Sequence, residues 1–500
     1  MLPAMDLDPI LCRQAMLARD ARFDGRFFIA VRSTGIYCRP ICPAQHPRAE
    51  NCIFLPSAAA AQQAGFRPCL RCRPEAAPGF GAWRGTSNTV SRALGLIETG
   101  ALDQDDTGAL AMRVGVGERH LCRLFMHHLG ASPLAVAQAR RVLLAKQLLH
   151  ETDLSMTAVA FAAGFGSVRR FNEVFQSLFG RAPATLRRAR GGQAAGSAIT
   201  LSLGYRPPYD WAAIIGFLSV RAIPGVETVE SETYSRTIEI DGHAGTVAVA
   251  HEPSRNRLRA TIRFPQLNAL PVIVARLRWM FDLAADPDVI GAALSRDALL
   301  APLVAARPGL RVPGAWDGFE LAVRAIVGQQ VTVGAATRLA ARLVREHGPL
   351  FPGTVGNAAL SHLFPRPQAL AGAEISGMPA ARARAITALA SAAAVDPELF
   401  ERGSDLGASV EKLQAQPGIG EWTAHYIAMR AMREPDAFPA ADIGLMRAMD
   451  DGAGRPTAAT LSMRAENWRP WRAYAAIHLW AADTARASCR LSEVSNALAA

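Results

Sequence analysis

The sequence predicts a multidomain α+β protein made of a small four-cysteine module, an all-α domain, an α+β subdomain and a mostly α domain. Three observations lead to this fold class. At about 100 to 200 residues per domain, a chain of 500 residues corresponds to several units. A helical segment near the front recurs at an offset of 50 residues. Residues 200–264 contain segments with the two-residue period of strands, and a helical period begins at residue 268.

The first module is predicted from two short cysteine pairs. Cys38 and Cys42 are followed, after 26 intervening residues, by Cys69 and Cys72. Each pair can span one edge of a tetrahedron, and the long loop brings the pairs together, as in an all-thiolate zinc site. Disulfides and inert core thiols are the alternatives. Residues 1–8 contain no basic leader segment, so we expect a reducing compartment in which disulfides are disfavoured.

The sequence that flanks these cysteines is more specific than their spacing. Residues 31–40 read VRSTGIYCRP and residues 64–72 read AGFRPCLRC. Over residues 20–74 the chain closely resembles the amino-terminal domain of the Ada-type regulators of the alkylation response. The resemblance implies one Zn²⁺ on the four cysteines and transfer of a methyl group from a methylated DNA phosphate to Cys38. The arginines set among the cysteines are the expected DNA contacts of this module: Arg39, Arg67 and Arg71.

This chemistry is physically reasonable. A thiolate is the nucleophile, and zinc keeps it deprotonated at neutral pH, so attack on a methyl phosphotriester needs no separate base. A zinc ion with four thiolates is anionic and repels the DNA backbone. Methylation of Cys38 removes one negative charge, so the affinity for DNA is expected to rise after the reaction.

A pair of helix-turn-helix motifs is predicted next. Residues 117–133 (GERHLCRLFMHHLGASP) align with residues 167–183 (SVRRFNEVFQSLFGRAP). Each copy follows a short alanine-rich helix and a glycine turn, which is typical of this motif. The motif can be purely structural. The DNA-binding interpretation assigns contacts with bases or phosphates to the exposed residues that begin the second helices: Arg119, His120, Arg169 and Arg170.

The charge distribution favours DNA binding by the front of the chain. The formal net charge is +11, and +10 of it lies in residues 1–190. Residues 91–188 resemble the AraC-type regulator domain, which Ada-type proteins join to their zinc module. The resemblance implies a methylation-activated transcriptional regulator whose partners are promoter DNA and RNA polymerase.

Two segments rich in glycine and alanine, residues 75–81 and residues 190–197, are predicted linkers. No apolar stretch has the length of a membrane span, so we expect a soluble monomer in the bacterial cytoplasm, associated with the nucleoid. The predicted domains are residues 1–80, residues 86–190, residues 198–280 and residues 281–490.

The chemistry of the remaining chain centres on residues 413–424, LQAQPGIGEWTA. The turn is that of a helix-hairpin-helix, in which Gly418 and Gly420 let backbone N–H groups approach a DNA phosphate. A non-catalytic DNA clamp is the alternative. Asp442 follows Gly420 by 22 residues. Hairpin, spacing and carboxylate together resemble the helix-hairpin-helix DNA glycosylases.

Residues 200–485 resemble the AlkA-type 3-methyladenine DNA glycosylases. The resemblance is carried by PPYDW at residues 207–211, FELAVRAIVGQQVTV at residues 319–333, the hairpin, and WRPWR at residues 468–472. It implies that Asp442 is the catalytic aspartate, with a helix N-cap as the alternative role. It puts Gln330 at the position of the DNA wedge and a monovalent cation at the hairpin carbonyls. The implied base-binding aromatics, for which core packing is the alternative, are Phe217, Trp422, Tyr426 and Trp480.

The expected architecture is therefore a small four-cysteine zinc module, an all-α double helix-turn-helix domain, an α+β N-terminal subdomain and a mostly α helix-hairpin-helix glycosylase domain. We expect excision of alkylated bases without strand cleavage, because lyase-competent relatives carry a lysine where this chain has Trp422. The Pro-Cys-His-Arg motif of O6-alkylguanine methyltransferases is absent, so that domain is not expected. The rival hypotheses are a transcription factor with a glycosylase-like DNA clamp and a repressor with purely structural zinc.

Overall fold

The computed structural model describes residues 7–78, 88–187, 198–353, 358–403, 405–450 and 454–499. Within these ranges the chain folds into the four kinds of unit that the sequence predicts. No helix in these ranges is both long and apolar enough to cross a membrane.

The first unit is a small sheet that brings the two cysteine pairs together. Its strands lie in the order β3-β1-β2-β4, and β4 is parallel to β2. Tyr37 on β2 is paired with Pro68 on β4, so Cys38 and Cys69, the next residues, emerge side by side. The elements are α1 (Pro9–Ala18), β1 (Phe28–Val31), β2 (Ile36–Cys38), β3 (Cys52–Leu55), α2 (Ala58–Gln63) and β4 (Arg67–Pro68).

The second unit consists of helices and contains both predicted motifs. The second helices of the motifs, α6 and α9, end at Gly130 and Gly180, each with a φ of 64°. Glycine adopts this left-handed conformation without strain, which explains the glycine that the two copies share. The helices are α3 (Asn88–Glu98), α4 (Ala101–Gln104), α5 (Thr107–Arg113), α6 (Glu118–Leu129), α7 (Pro133–Glu151), α8 (Met156–Ala162) and α9 (Val168–Phe179).

The third unit is an antiparallel sheet of strand order β5-β9-β8-β7-β6 with two helices. Leu258, Ala260 and Ile262 on β9 are buried while the residues between them are not, as the two-residue alternation predicts. Its elements are β5 (Ile199–Gly204), α10 (Trp211–Ser219), β6 (Glu227–Glu230), β7 (Thr233–Ile240), β8 (His243–Glu252), β9 (Arg257–Arg263) and α11 (Leu270–Met280).

The fourth unit is helical and contains the hairpin between α18 and α19. Gly418 in the turn has a φ of 80°, and a Cβ there would lie 2.5 Å from Ala385 Cβ, so only glycine fits. The helices are α12 (Pro287–Leu294), α13 (Leu300–Ala306), α14 (Gly318–Val327), α15 (Val333–His347), α16 (Pro367–Leu370), α17 (Ala380–Val395), α18 (Leu406–Gln414), α19 (Glu421–Arg430), α20 (Ile443–Ala448), α21 (Ala458–Ala465) and α22 (Arg472–Ala499).

The units are packed against one another. A single apolar cluster, which we call the shared core, contains Val142, Phe171 and Phe175 from the second unit and Leu201 and Met280 from the third. The first predicted linker begins differently from the expectation, because Pro74–Ala76 is a 3-10 helix with Glu75 buried. The second predicted linker, residues 190–197, lies outside the described residues.

Candidate metal centre, DNA-binding helices and candidate active site

The metal centre is formed where β2 and β4 end. The sulfurs of Cys38, Cys42, Cys69 and Cys72 lie within 4.8 Å of one another. The Cys69 N–H donates to the Tyr37 carbonyl at 3.0 Å, which fixes the second pair beside the first. Four sulfurs converging on one point form the donor set that Zn²⁺ prefers in structural and reactive thiolate sites.

The chemistry of the thiols also fits a metal cation. Hydrogen bonds from Cys38 and from the other two thiols hold the pKa of Cys69 well below its usual range. Backbone N–H groups donate to two of the sulfurs, from Arg71 to Cys69 and from Arg39 to Cys72, each at 3.4 Å. Such N–H groups stabilise thiolates. When Zn²⁺ binds such a cluster, the thiol protons are displaced to solvent and the sulfurs become its thiolate ligands.

Cys38 differs from the other three ligands in its exposure. Cys42, Cys69 and Cys72 are buried, with 9%, 6% and 6% of their surface exposed, whereas Cys38 is only half-buried. Cys38 therefore presents more of its surface to solvent than the other three cysteines do.

The three arginines predicted to contact DNA at this module have different environments. Arg39 is buried: its Nε donates to Asp24 Oδ1 at 2.8 Å and its Nη1 to the Cys72 carbonyl at 3.0 Å. This corrects the expectation for Arg39, because its guanidinium braces the metal loop and does not face solvent. Arg71 is exposed and Arg67 is half-buried, so both can reach a phosphate.

The four predicted contacts on the helix-turn-helix motifs lie in the first turns of α6 and α9, and all four side chains are exposed. Three of them have a partner on their own helix. Arg169 Nε donates to Glu173 at 2.8 Å, and Arg170 lies 4.0 Å from the same carboxylate. His120 Nδ1 lies 2.8 Å from Arg123 Nη2. Exposed ion pairs are weak, so the two arginines can exchange Glu173 for DNA. The helix starts are thus suited to major-groove contact.

Asp442 is held by three donors from three different elements. It is the N-cap of α20 and accepts from the Leu445 N–H at 3.0 Å. Trp480 Nε1 donates to Oδ1 at 2.8 Å, and Trp422 Nε1 donates to Oδ2 at 3.0 Å. Capping and catalysis, which the sequence presented as alternatives, are compatible here because the half-buried carboxylate also faces a cleft.

The cleft has a volume of about 1780 Å³ and runs between the third and fourth units. Trp422 and Tyr426 stack with their ring centroids 5.2 Å apart and their planes inclined by 10°. Trp480 meets Tyr426 edge to face at 6.4 Å. The cleft brings all four predicted aromatics, Phe217 included, together with Asp442.

The loop that precedes α15 lies at the rim of the cleft beside the hairpin. Gln330 has a φ of 56°, is exposed and lines the cleft. Its neighbour Gln329 donates to the Gly418 carbonyl at 2.9 Å and to Thr423 Oγ1 at 3.1 Å. These contacts tie the predicted wedge loop to the hairpin. Gly420 is the N-cap of α19 and also lines the cleft.

Comparison with known proteins identifies the family of this chain. The chain is 40% identical over 476 residues to the probable bifunctional transcriptional activator/DNA repair enzyme AlkA of Mycobacterium tuberculosis, covering 94% of this chain and 95% of that protein. The chain belongs to this bifunctional family.

Further matches cover separate parts of the chain. Residues 11–75 match the metal binding domain of Ada, residues 110–189 a helix-turn-helix domain, and residues 200–317 the AlkA N-terminal domain. DNA-3-methyladenine glycosylase 2 of Escherichia coli is 36% identical over 287 residues, which is 56% of this chain and 96% of that protein.

A solved structure extends the likeness to the fold of the back half. The 3-methyladenine DNA-glycosylase from Archaeoglobus fulgidus superposes with a TM-score of 0.50 at 24% identity. The match covers 57% of this chain and 98% of that one.

The cleft also contains two arginines that the sequence analysis had not indicated. The Cζ atom of Arg221 lies over the Phe217 ring at 3.8 Å from its centroid, and that of Arg430 at 4.6 Å. Arg221 follows Phe217 by one helical turn, which is a signal visible in the sequence. Arg430 is 213 positions from Phe217, so only the fold reveals that contact.

Proposed function

We propose that this protein removes alkylated bases of the 3-methyladenine type from DNA with one half and senses methylated phosphates with the other. The observation that carries the first activity is Asp442, oriented by two indoles inside an aromatic cleft. The second activity rests on the half-buried Cys38 among three buried thiols. Methylation of Cys38 then increases promoter affinity through the helix-turn-helix domain, as a transcriptional activator requires.

Base excision begins when the damaged nucleotide leaves the duplex and its base enters the cleft. Aromatic faces stack on the base, and Asp442 stabilises the positive charge that develops on the sugar as the N-glycosidic bond breaks. The bond's electron pair leaves with the base. A water molecule, oriented by the carboxylate, adds to the sugar and gives its proton to solvent or to the carboxylate.

We propose a monofunctional glycosylase that leaves an intact abasic site. Strand cleavage would need an amine nucleophile in the cleft, and Trp422 stands where lyases carry lysine. Lys412 is the nearby lysine in the sequence, and its Nζ is engaged with the Glu398 carbonyl at 2.8 Å and Asp396 at 3.0 Å. No O6-methylguanine methyltransferase activity is proposed.

Methyl acceptance is an SN2 reaction at Cys38. The sulfur attacks the methyl carbon of a phosphotriester, the carbon–oxygen bond breaks, and an ordinary phosphodiester anion departs. Zinc bound by the four cysteines supplies the stabilisation that keeps the Cys38 sulfur deprotonated. The product is a thioether at Cys38, and each molecule reacts once.

Further proposals concern partners and location. The protein acts as a monomer in the bacterial cytoplasm, associated with the nucleoid, and contacts RNA polymerase at promoters. A monovalent cation binds the hairpin carbonyls next to a DNA phosphate. The hairpin turn, with Gly418 held against Ala385, supports this last proposal because its backbone geometry is fixed.

Substitution of the catalytic carboxylate tests the glycosylase. Asp442→Asn keeps a good N-cap but loses the charge, so single-turnover excision of 3-methyladenine from duplex DNA should fall by about 10² or more. Asp106→Asn, at the N-cap of α5 outside the cleft, is the matched control and should excise normally. Near-normal excision by Asp442→Asn would refute the assignment.

Radiolabelled DNA tests the sensor. Methyl groups from phosphotriesters should appear on Cys38 of the wild-type protein and not on Cys38→Ser, whereas Cys122→Ser, a thiol outside the metal centre, should accept them normally. Metal analysis should find one zinc per chain. Label on any other residue would overturn the assignment to Cys38.

A further inference from the structure

The pocket wall formed by Phe217 carries an unusual amount of positive charge. Two guanidiniums lie over its ring, Arg221 at 3.8 Å and Arg430 at 4.6 Å. Both arginines line the cleft that contains Asp442. Two carboxylates also line this part of the cleft, and both are paired with Arg324. Glu227 is in close contact with Arg324 Nη2, and Glu320 Oε1 lies 2.7 Å from the same atom. The surplus charge in this part of the cleft is therefore positive.

The two arginines are held very differently. Arg430 is buried and donates to the Pro313 carbonyl at 2.7 Å, the Gly314 carbonyl at 3.2 Å and the Tyr426 hydroxyl at 2.6 Å. Arg221 is half-buried, and its Nη1 donates to the Phe217 carbonyl at 3.3 Å. Among the described residues, Arg221 has no carboxylate within ion-pair distance. Its guanidinium consequently retains N–H groups that a ligand can use.

The Tyr426 ring joins this cluster to the aromatic stack. Burial raises the pKa of Tyr426, but the charges of Arg430 and Arg221 outweigh burial and lower it overall. Tyr426 stacks on Trp422, so Arg430 contacts one ring of this stack and Asp442 accepts a hydrogen bond from the other.

This charge distribution distinguishes two classes of leaving base. A base methylated at N3 or N7 is cationic, so a neighbouring guanidinium repels it in the ground state. A neutral base must accept the electron pair of the glycosidic bond and becomes negative as it leaves, so the same guanidinium stabilises its transition state.

We propose that Arg221 is a specificity-determining residue that extends excision to neutral purines carrying carbonyl or ring-nitrogen acceptors, by raising their excision rate relative to that of cationic alkylated bases. The guanidinium donates hydrogen bonds to the acceptor edge of the flipped base and stabilises the charge that develops as it departs. This proposal rests on the proposed glycosylase activity and assigns a substrate preference to the same cleft.

The test compares two substrates with one variant. Arg221→Met keeps most of the apolar stem over Phe217 and removes the charge. In single-turnover assays we expect hypoxanthine excision to fall by about tenfold or more and 7-methylguanine excision to rise, because an attraction and a repulsion are lost together. Equal changes for both bases would overturn the proposal.

Two further variants make the result unambiguous. Arg342→Met removes an exposed charge outside the cleft, paired with Glu346, and should leave the ratio of the two rates unchanged. Arg221→Lys keeps the charge without the planar fork and should give an intermediate ratio; a ratio equal to that of Arg221→Met would refute the role of charge. If the wild-type protein excised 3-methyladenine but not hypoxanthine, the proposal for Arg221 would be overturned; if it did not excise 3-methyladenine, the glycosylase proposal would fail instead.

Discussion

The carboxylate of Asp442 has its orientation determined before any substrate arrives. Two indole N–H groups and one backbone N–H approach it from α19, α22 and α20. Each indole belongs to an aromatic that also lines the cleft, so the base contact proposed for Trp422 and Trp480 is combined with positioning of the carboxylate. A carboxylate oriented in advance costs little reorganisation when charge develops on the sugar.

Removal of one indole donor separates these two roles. Trp480→Phe keeps an aromatic face and deletes the hydrogen bond to Asp442 Oδ1, an interaction with a charged group worth about 1.5–3 kcal/mol. We expect the saturating single-turnover rate to fall roughly tenfold or more, with a smaller change in the DNA concentration needed for half-saturation. Trp279→Phe, which loses an indole bond to Glu98 outside the site, is the control. A change in half-saturation alone would indicate that Trp480 only binds the base.

At this scale, short-range sequence signals indicated the candidate residues but not the contacts that support them. The spacing of the four cysteines predicted the metal centre, and the hairpin with its downstream carboxylate indicated Asp442. The indole bonds, the buried position of Arg39 and the Arg430 guanidinium over Phe217 depend on side-chain directions between residues separated in sequence. Such directions follow from tertiary packing, on which a motif gives no information.

Helix α7 is the element that joins the first three units. Lys146, fully buried, donates to the Cys69 carbonyl at 2.9 Å and to Glu75 at 2.6 Å. Near the same end, Glu151 accepts from Arg73 at 2.6 Å and from the Ser202 N–H on β5 at 2.9 Å. The metal loop, the helix-turn-helix domain and the third unit are therefore bonded to the last two turns of one helix.

The only two lysines of the chain offer a matched pair of variants for this helix. Lys146→Met leaves Glu75 buried with its main cationic partner gone, so unfolding free energy should fall by about 3–5 kcal/mol. Lys412→Met removes an exposed ion pair and should change the free energy of unfolding by less than about 1 kcal/mol. Denaturant titration of the full chain measures both, and similar losses would argue against the buried pair.

The Lys146→Met variant should also unfold at a different acidic pH from the wild-type protein. Burial raises the pKa of Glu75, but Lys146 and His150 outweigh it and lower the pKa to about 2. A depressed folded-state pKa contributes stability above the unfolded pKa, and this contribution is lost as the pH falls towards 2. Without Lys146 the folded pKa rises, so Lys146→Met should unfold at a higher pH in an acid titration followed by circular dichroism. Superimposable acid transitions would contradict this assignment.

The whole molecule is more tightly built than its sequence suggests. Glycine-rich composition at residues 190–197 predicted a flexible boundary, yet the units on either side share one apolar core. The zinc module also bonds to the fourth unit, where Arg26 Nη2 donates to Asp286 at 2.5 Å. The composition of a linker determines how flexible the linker is, but it carries no information about how the domains on either side pack together. This packing therefore could not be predicted from the sequence.

The shared core has a consequence for how the protein reads a long duplex. It holds α9, a DNA-binding helix, at a fixed angle and distance from the third unit and its cleft, and B-DNA turns once in about 10–10.5 base pairs. With the protein anchored at its promoter, a lesion moved along the helix in single base-pair steps should meet the cleft face-on once per turn. Excision should therefore oscillate with that period on promoter DNA and stay flat without the promoter. The helical phase of a lesion, and not only its chemistry, would then decide whether an anchored molecule repairs it.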